Sequence, residues 1–275
     1  MHFDLKQDAL DHTLLTAHRG VTGGNIPGNT IAAFDAALLQ GADMIELDVS
    51  NSLEGELFVF HPGMEKTFLG FDKLLSDIPS EEIRRMRFLN GDDTPTQFGI
   101  NTFDEVLEHL KGRCYINVDK FWNNVDPIVQ AIRRHGMSEQ IVVKTNPRED
   151  VYSYMENCAP DINYMVIMRE QDDQTEMLRK RGMRYVGAEV LFKTEESEFA
   201  TESYVERMNK AGLIVWVNAI VYNHLSVLTA GHNDDVSVVG RMDEGWGWLM
   251  DKGYNIIQTD WPMMLKHYMN QRTAR

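Results

Sequence analysis

Three short stretches near the N-terminus hold the residues best suited to chemistry: His18-Arg19-Gly20, then Glu46-Leu47-Asp48, then Phe58-Val59-Phe60-His61. The segments around Glu46 and Phe58 read as strands, so alternation points Glu46 and Asp48, two residues apart, to the same side. Met44, Ile45, Leu47 and Val49 make that strand apolar enough to be buried, and carboxylates turned inward there need a cation. Magnesium or calcium suits such an oxygen-rich set better than zinc, because no histidine shares the spacing. A metal and an arginine can neutralise a phosphate ester while two imidazoles move protons near neutral pH.

Those residues need strand ends to hold them, and the chain offers eight. Short apolar runs at Leu15–His18, Met44–Val49, Tyr115–Asp119, Ile141–Thr145, Tyr164–Met168, Tyr185–Glu189, Ile214–Asn218 and Ile256–Thr259 alternate with amphipathic segments. This is the pattern of repeated β-α units, and eight parallel strands close a barrel. At 275 residues the chain matches the roughly 250 of a (β/α)8 TIM barrel, an α/β fold, so one domain over 1–275 is expected. Two stretches break the rhythm. Residues 63–101 are too long for a βα connection and carry a helix signal at Ser80–Met86, which reads as a cap insertion after the second strand. Residues 221–245 are rich in Gly, Asn and Asp, and His232-Asn233-Asp234-Asp235 reads as a turn.

Composition narrows the partners. A formal net charge of −15 without a basic cluster argues against nucleic acid and against docking on anionic membranes. No apolar run approaches the roughly 18 residues of a spanning helix. The expected location is the cytoplasm, or outside the cell if an upstream signal has been removed. Cys114 and Cys158 have neither metal-ligand spacing nor the number for a disulfide framework.

The ordered set His18-Arg19-Gly20, Asn29-Thr30 with Ala33-Phe34, Glu46-Leu47-Asp48 and His61 resembles the glycerophosphodiester phosphodiesterase family. The likeness extends to Val215-Trp216-Val217-Asn218 and to the run Gly253 to Pro262, and so covers roughly Leu14 to Leu265. It implies a phosphodiesterase that releases glycerol 3-phosphate and an alcohol. His18 and His61 would be the acid/base pair, and Arg19 would hold a phosphate oxygen. Glu46, Asp48 and Asp119 would hold a Mg2+ or Ca2+ ion. The family's strand after the insertion usually has a glutamate followed two residues later by a lysine. Here Asp119 matches the acid while Lys120, adjacent to it, is expected to face away. Lys144, which ends the apolar run Ile141-Val142-Val143, is expected to supply the positive charge to the phosphate. Gly28 and Pro62 stand where the family commonly has a glutamate and an aspartate.

Three further strand residues are candidates for substrate contact. Trp216 and Asn218 share one face of their strand, and the indole is either pocket floor or plain core. Glu189 either binds polar atoms of the substrate or pairs with Lys193. Two other readings stand beside the hydrolase: a phospholipase-D-like enzyme on intact lipids, and a barrel that binds a phosphodiester or sugar phosphate without turning it over.

Overall fold

The computed structural model describes residues 2–170 and 172–273. The strands, in chain order, are β1 (Leu14–His18), β2 (Met44–Asn51), β3 (Leu57–Val59), β4 (Tyr115–Asp119), β5 (Ile141–Thr145), β6 (Asn163–Arg169), β7 (Tyr185–Leu191), β8 (Ile214–Asn218) and β9 (Ile256–Thr259). β3 runs antiparallel to β2, and the other eight are parallel. The order β1-β9-β8-β7-β6-β5-β4-β2 closes on itself because β1 pairs with both β9 and β2. The expected (β/α)8 barrel is therefore what the chain forms.

Alternation along these strands separates two environments. Ile45, Leu47, Ile116, Val118, Val143, Val166, Val215 and Ile257 point outward into the main core beneath the helices. The inward set is layered. At the base, Met44, Tyr115, Val142, Met165, Val186, Ile214, Trp216 and Ile256 form an apolar plug. Above it the inward positions turn polar and remain buried: Thr16, Glu46, Asn117, Lys144, Glu189 and Gln258. The helix Leu5–Asp11, which no apolar run announces, closes the bottom by packing Leu5 and Ala9 against the plug. Asn255 Nδ2 ties it down with a 3.1 Å hydrogen bond to the Ala9 carbonyl.

Residues 63–101 carry the short helices Glu65–Leu69 and Ser80–Ile83 and their own apolar cluster, in which Phe58 and Phe60 meet Leu75, Ile83, Phe88 and Ile100. The stretch at 232–235 is not a simple turn. Asn233 caps the helix Asp234–Val238 by accepting from the Val236 amide, and Asp234 is buried. Among the described residues no helix is long and apolar enough to cross a membrane.

One position shows how tightly the barrel closes. The β6–β7 register shifts at Tyr164/Met165, and there a Cβ on Gly187 would lie 1.9 Å from the Ile214 carbonyl oxygen of β8. Gly187→Ala is expected to destabilise the protein by about 2–3 kcal/mol in urea unfolding, the cost of overpacking against backbone. Gly182→Ala, whose new methyl would meet only the Glu156 side chain at 3.6 Å, should cost well under that.

Candidate active site

The C-terminal ends of β1, β2 and β4 bring the first expected residues together. The register pairs His18 with Glu46, Glu46 with Asn117, and Asp48 with Asp119, so three carboxylates stack at one corner of the mouth. One oxygen from each of Glu46, Asp48 and Asp119 lies within 4.8 Å of the other two. Asp48 is held from several sides. Asn29 Nδ2 donates to Asp48 Oδ2 at 2.9 Å, while the Asp48 amide donates to Asn29 Oδ1 at 3.2 Å. Arg19 Nε lies 2.9 Å from Asp48 Oδ2, and His61 Nε2 lies 3.9 Å from Asp48 Oδ1. Arg19 and Asn29 both have positive φ, which folds the loop after β1 back so that the Asn29 amide donates to the Arg19 carbonyl.

Asp48 Oδ1 and Asp119 Oδ1 are buried and accept no hydrogen bond. Buried carboxylate oxygens without donors are costly, and a divalent cation is the partner that an all-oxygen set of this kind fits. Burial, with the charge of Asp48 next, pushes Glu46 up to about 7. Burial also acts on Asp119, but the Lys120 and Lys144 charges outweigh it and hold Asp119 below the usual range.

Lys120 does not face away. β4 ends at Asp119, and Lys120 takes a left-handed backbone (φ 57°) that swings its side chain back over the mouth. Its ammonium sits 2.9 Å from Asp119 Oδ2 and 3.8 Å from Asp48 Oδ1. Strand alternation fails there because the strand has already ended.

Lys144, Glu189, Trp216 and Asn218 converge on each other deeper in the barrel. Lys144 pairs with Glu189, and its ammonium lies 3.9 Å above the Trp216 ring. Asn218 Nδ2 donates to Glu189 Oε1 at 2.6 Å and Trp216 Nε1 to Asn218 Oδ1 at 3.2 Å. Glu189 thus pairs with Lys144, not with Lys193. Trp216 is fully buried in the basal plug and lines neither cavity of the mouth.

Two carboxylates escape a reading of the sequence. Asp260, just past β9, hydrogen-bonds His18 Nδ1 at 2.8 Å. Asp234 in turn accepts from the Asp260 amide (2.8 Å), the Thr259 hydroxyl (2.7 Å) and the Trp246 indole (2.7 Å). Burial pulls the His18 pKa down, but the Asp260 hydrogen bond and the charges of Glu46 and Asp260 outweigh it, so the value is raised. At His61 burial dominates and the value is lowered. The two imidazoles are thereby shifted in opposite directions, an asymmetry that an acid/base pair would use.

The mouth holds two cavities that share His18. One, about 460 Å³, lies between the loop after β1 and the insertion; the other, about 200 Å³, opens over Glu46, Asp119, Lys120 and Lys144.

Comparison with known proteins follows this geometry. A family model described only as a domain of unknown function matches residues 164–269. A glycerophosphodiester phosphodiesterase of Caldanaerobacter subterraneus subsp. tengcongensis is 30% identical over 147 residues, covering 48% of this chain and 58% of the relative. The chain spans only a little over half the length of the curated relatives it matches at this level. Among solved structures, a glycerophosphoryl diester phosphodiesterase of Parabacteroides distasonis superposes with a TM-score of 0.77 at 15% identity, covering 99% of this chain and 94% of that one. A phosphodiesterase of Oleispira antarctica, solved with its product sn-glycerol-3-phosphate, gives 0.68 at 16% identity over 96% of this chain and 99% of that one. At these identities the structures establish the fold, and the curated relatives support the family resemblance carried by the motifs.

The His18–Asp260 pair makes a direct prediction. Asp260→Asn should lower the His18 pKa, followed as a shift of its imidazole resonances to lower pH in an NMR titration, because the mutation removes the charge that favours the protonated ring. The pair's contribution to stability should be complete below about pH 6.5 and fade as the pH rises through the raised value.

Proposed function

We propose, from the resemblance to glycerophosphodiester phosphodiesterases that the curated relatives support, that this protein is a metal-dependent phosphodiesterase. On this reading it hydrolyses glycerophosphodiesters to glycerol 3-phosphate and an alcohol. The observation that carries the reading is the grouping around Asp48: Arg19 on one oxygen, His61 near the other, and Glu46 and Asp119 within 4.8 Å.

Glu46, Asp48 and Asp119 would hold Mg2+ or Ca2+, and a bound ion would act as a Lewis acid on a phosphate oxygen. Arg19 presents its guanidinium fork to a non-bridging oxygen. Lys120 is the second phosphate cation: its ammonium stands beside Asp119 at the mouth, whereas Lys144 is already committed to Glu189 over the Trp216 ring. Lys144, Glu189 and Asn218 then form a polar wall for the substrate, with Trp216 as support beneath it.

The opposite shifts of the two histidines support a division of their work. His18, whose protonated form Asp260 favours, gives its proton to the leaving alcohol oxygen. His61, whose neutral form burial favours, takes a proton from the attacking hydroxyl, either of water or of the glycerol beside the phosphate.

The test is release of glycerol 3-phosphate from glycerophosphodiesters with chelator, and with Mg2+ or Ca2+ restored. Turnover should require the metal. His18→Ala should lose roughly a hundredfold or more on an alkyl leaving group but far less on bis(p-nitrophenyl) phosphate, whose leaving group needs no proton. His61→Ala should lose comparably on both. Lys120→Ala should impair turnover more than Lys144→Ala does. Folded, metal-loaded protein that turns over no phosphodiester would overturn the reading and leave a binding-only barrel.

A further inference from the structure

A phosphodiester has two alcohol halves, and the two cavities that meet at His18 are chemically unlike. The 200 Å³ cavity is lined mainly by charged and amide side chains, among them Lys120, Lys144, Arg169, Glu189 and Asn218, with Trp122, Ile167, Leu191 and Leu228 as its apolar members. In the 460 Å³ cavity the ionisable side chains are His18, Arg19, His61 and Asp260. Each of them is engaged at the carboxylate end, His18 with Asp260 and the other two with Asp48. The rest of that cavity is uncharged: Ile26, Phe60, Phe68, Phe88 and Leu89 give it an apolar wall, with the neutral polar side chains of Thr22, Asn25, Asn29 and Asn90 beside them.

These walls are built into the fold. Phe60 and Phe88 stack with ring centres 6.0 Å apart inside the apolar cluster of the insertion. The Leu89 amide donates to the Phe68 carbonyl at 2.8 Å, and the Leu89 side chain packs against the backbone of Gly70. Asn90 Nδ2 donates to Asn25 Oδ1 at 3.3 Å, which ties the insertion to the loop after β1 across the cavity. The one carboxylate in the lining, Asp260, is already taken by His18. A cationic head group placed here would meet no free counter-charge among the described residues, whereas apolar surface would be removed from water against aromatic and aliphatic walls.

Resting on the phosphodiesterase reading, we propose that the 460 Å³ cavity selects the alcohol half of the substrate and takes an uncharged apolar group, alkyl or aryl, in preference to a cationic head group. The glycerol half then falls to the polar cavity, where hydroxyls find amide, carboxylate and ammonium partners. Ile26, Phe68 and Leu89 are the specificity-determining side chains, since each is only partly buried and so presents surface to a ligand.

The experiment is a calorimetric binding ladder of n-alkyl phosphates, from ethyl to octyl, on the wild-type protein with Mg2+ present and with phosphocholine as the charged comparison. Affinity should rise about threefold to fourfold per methylene until the cavity is filled, and phosphocholine should bind more weakly than butyl phosphate. Leu89→Glu and Phe68→Asp should each flatten the ladder and improve phosphocholine relative to butyl phosphate, while Leu89→Met keeps the wild-type slope. A flat wild-type ladder, phosphocholine binding tighter than butyl phosphate, or a slope untouched by both acidic variants would overturn the proposal. Because the ladder reads binding, it is independent of turnover. Absence of turnover of any phosphodiester, glycerophosphodiesters included, by the same metal-loaded protein would count against the phosphodiesterase reading alone.

Discussion

Three carboxylates on two neighbouring parallel strands, Glu46 and Asp48 buried and Asp119 partly so, are the constraint around which the mouth of the barrel is arranged. At an effective dielectric near 20, unit charges 4.8 Å apart repel by about 3–4 kcal/mol per pair. Burial adds to that cost, and together they push the Glu46 pKa up to about 7. The surrounding groups answer this charge. Arg19 and Lys120 approach Asp48 and Asp119, and the Asn29 amide clamps Asp48 through both its oxygen and its nitrogen. A divalent cation would complete the neutralisation and orient a phosphate toward the same corner.

The second half of the site is organised from the far end of the chain. Asp234 accepts three hydrogen bonds, one of them from the Asp260 amide, and so fixes where the Asp260 carboxylate can reach. Asp260 then meets His18 across 242 residues of sequence. Barrel closure between β9 and β1 is what makes this pair possible. The imidazole that it holds is also the residue shared by the polar and apolar cavities, so on the proposed reading proton transfer and the two halves of a diester would meet at one side chain.

Much of this was legible in the sequence because a strand has a period of two. Met44, Glu46 and Asp48 alternate with Ile45, Leu47 and Val49, and the structure sends the first set inward and the second into the outer core. The same rule misled at Lys120, where the strand had ended and a left-handed residue reversed the side chain. It gave no access to Asp260 or Asp234, whose roles depend on contacts between distant segments. It was also silent on the helix Leu5–Asp11, too short and too polar in sequence to stand out, which earns its place only by packing beneath the barrel. For Trp216 the pattern left floor and core both open, and the basal cluster places the ring in the core with Lys144 above it.

The most direct measurement is calorimetric titration of Mg2+ and Ca2+ into metal-stripped protein, for the wild type and for Asp119→Asn. Binding of one ion per chain by the wild type, abolished or severely weakened in Asp119→Asn, is the predicted result. Wild-type protein that is folded yet binds neither ion, or Asp119→Asn protein that binds as tightly as the wild type, would contradict the assignment of these carboxylates to a cation.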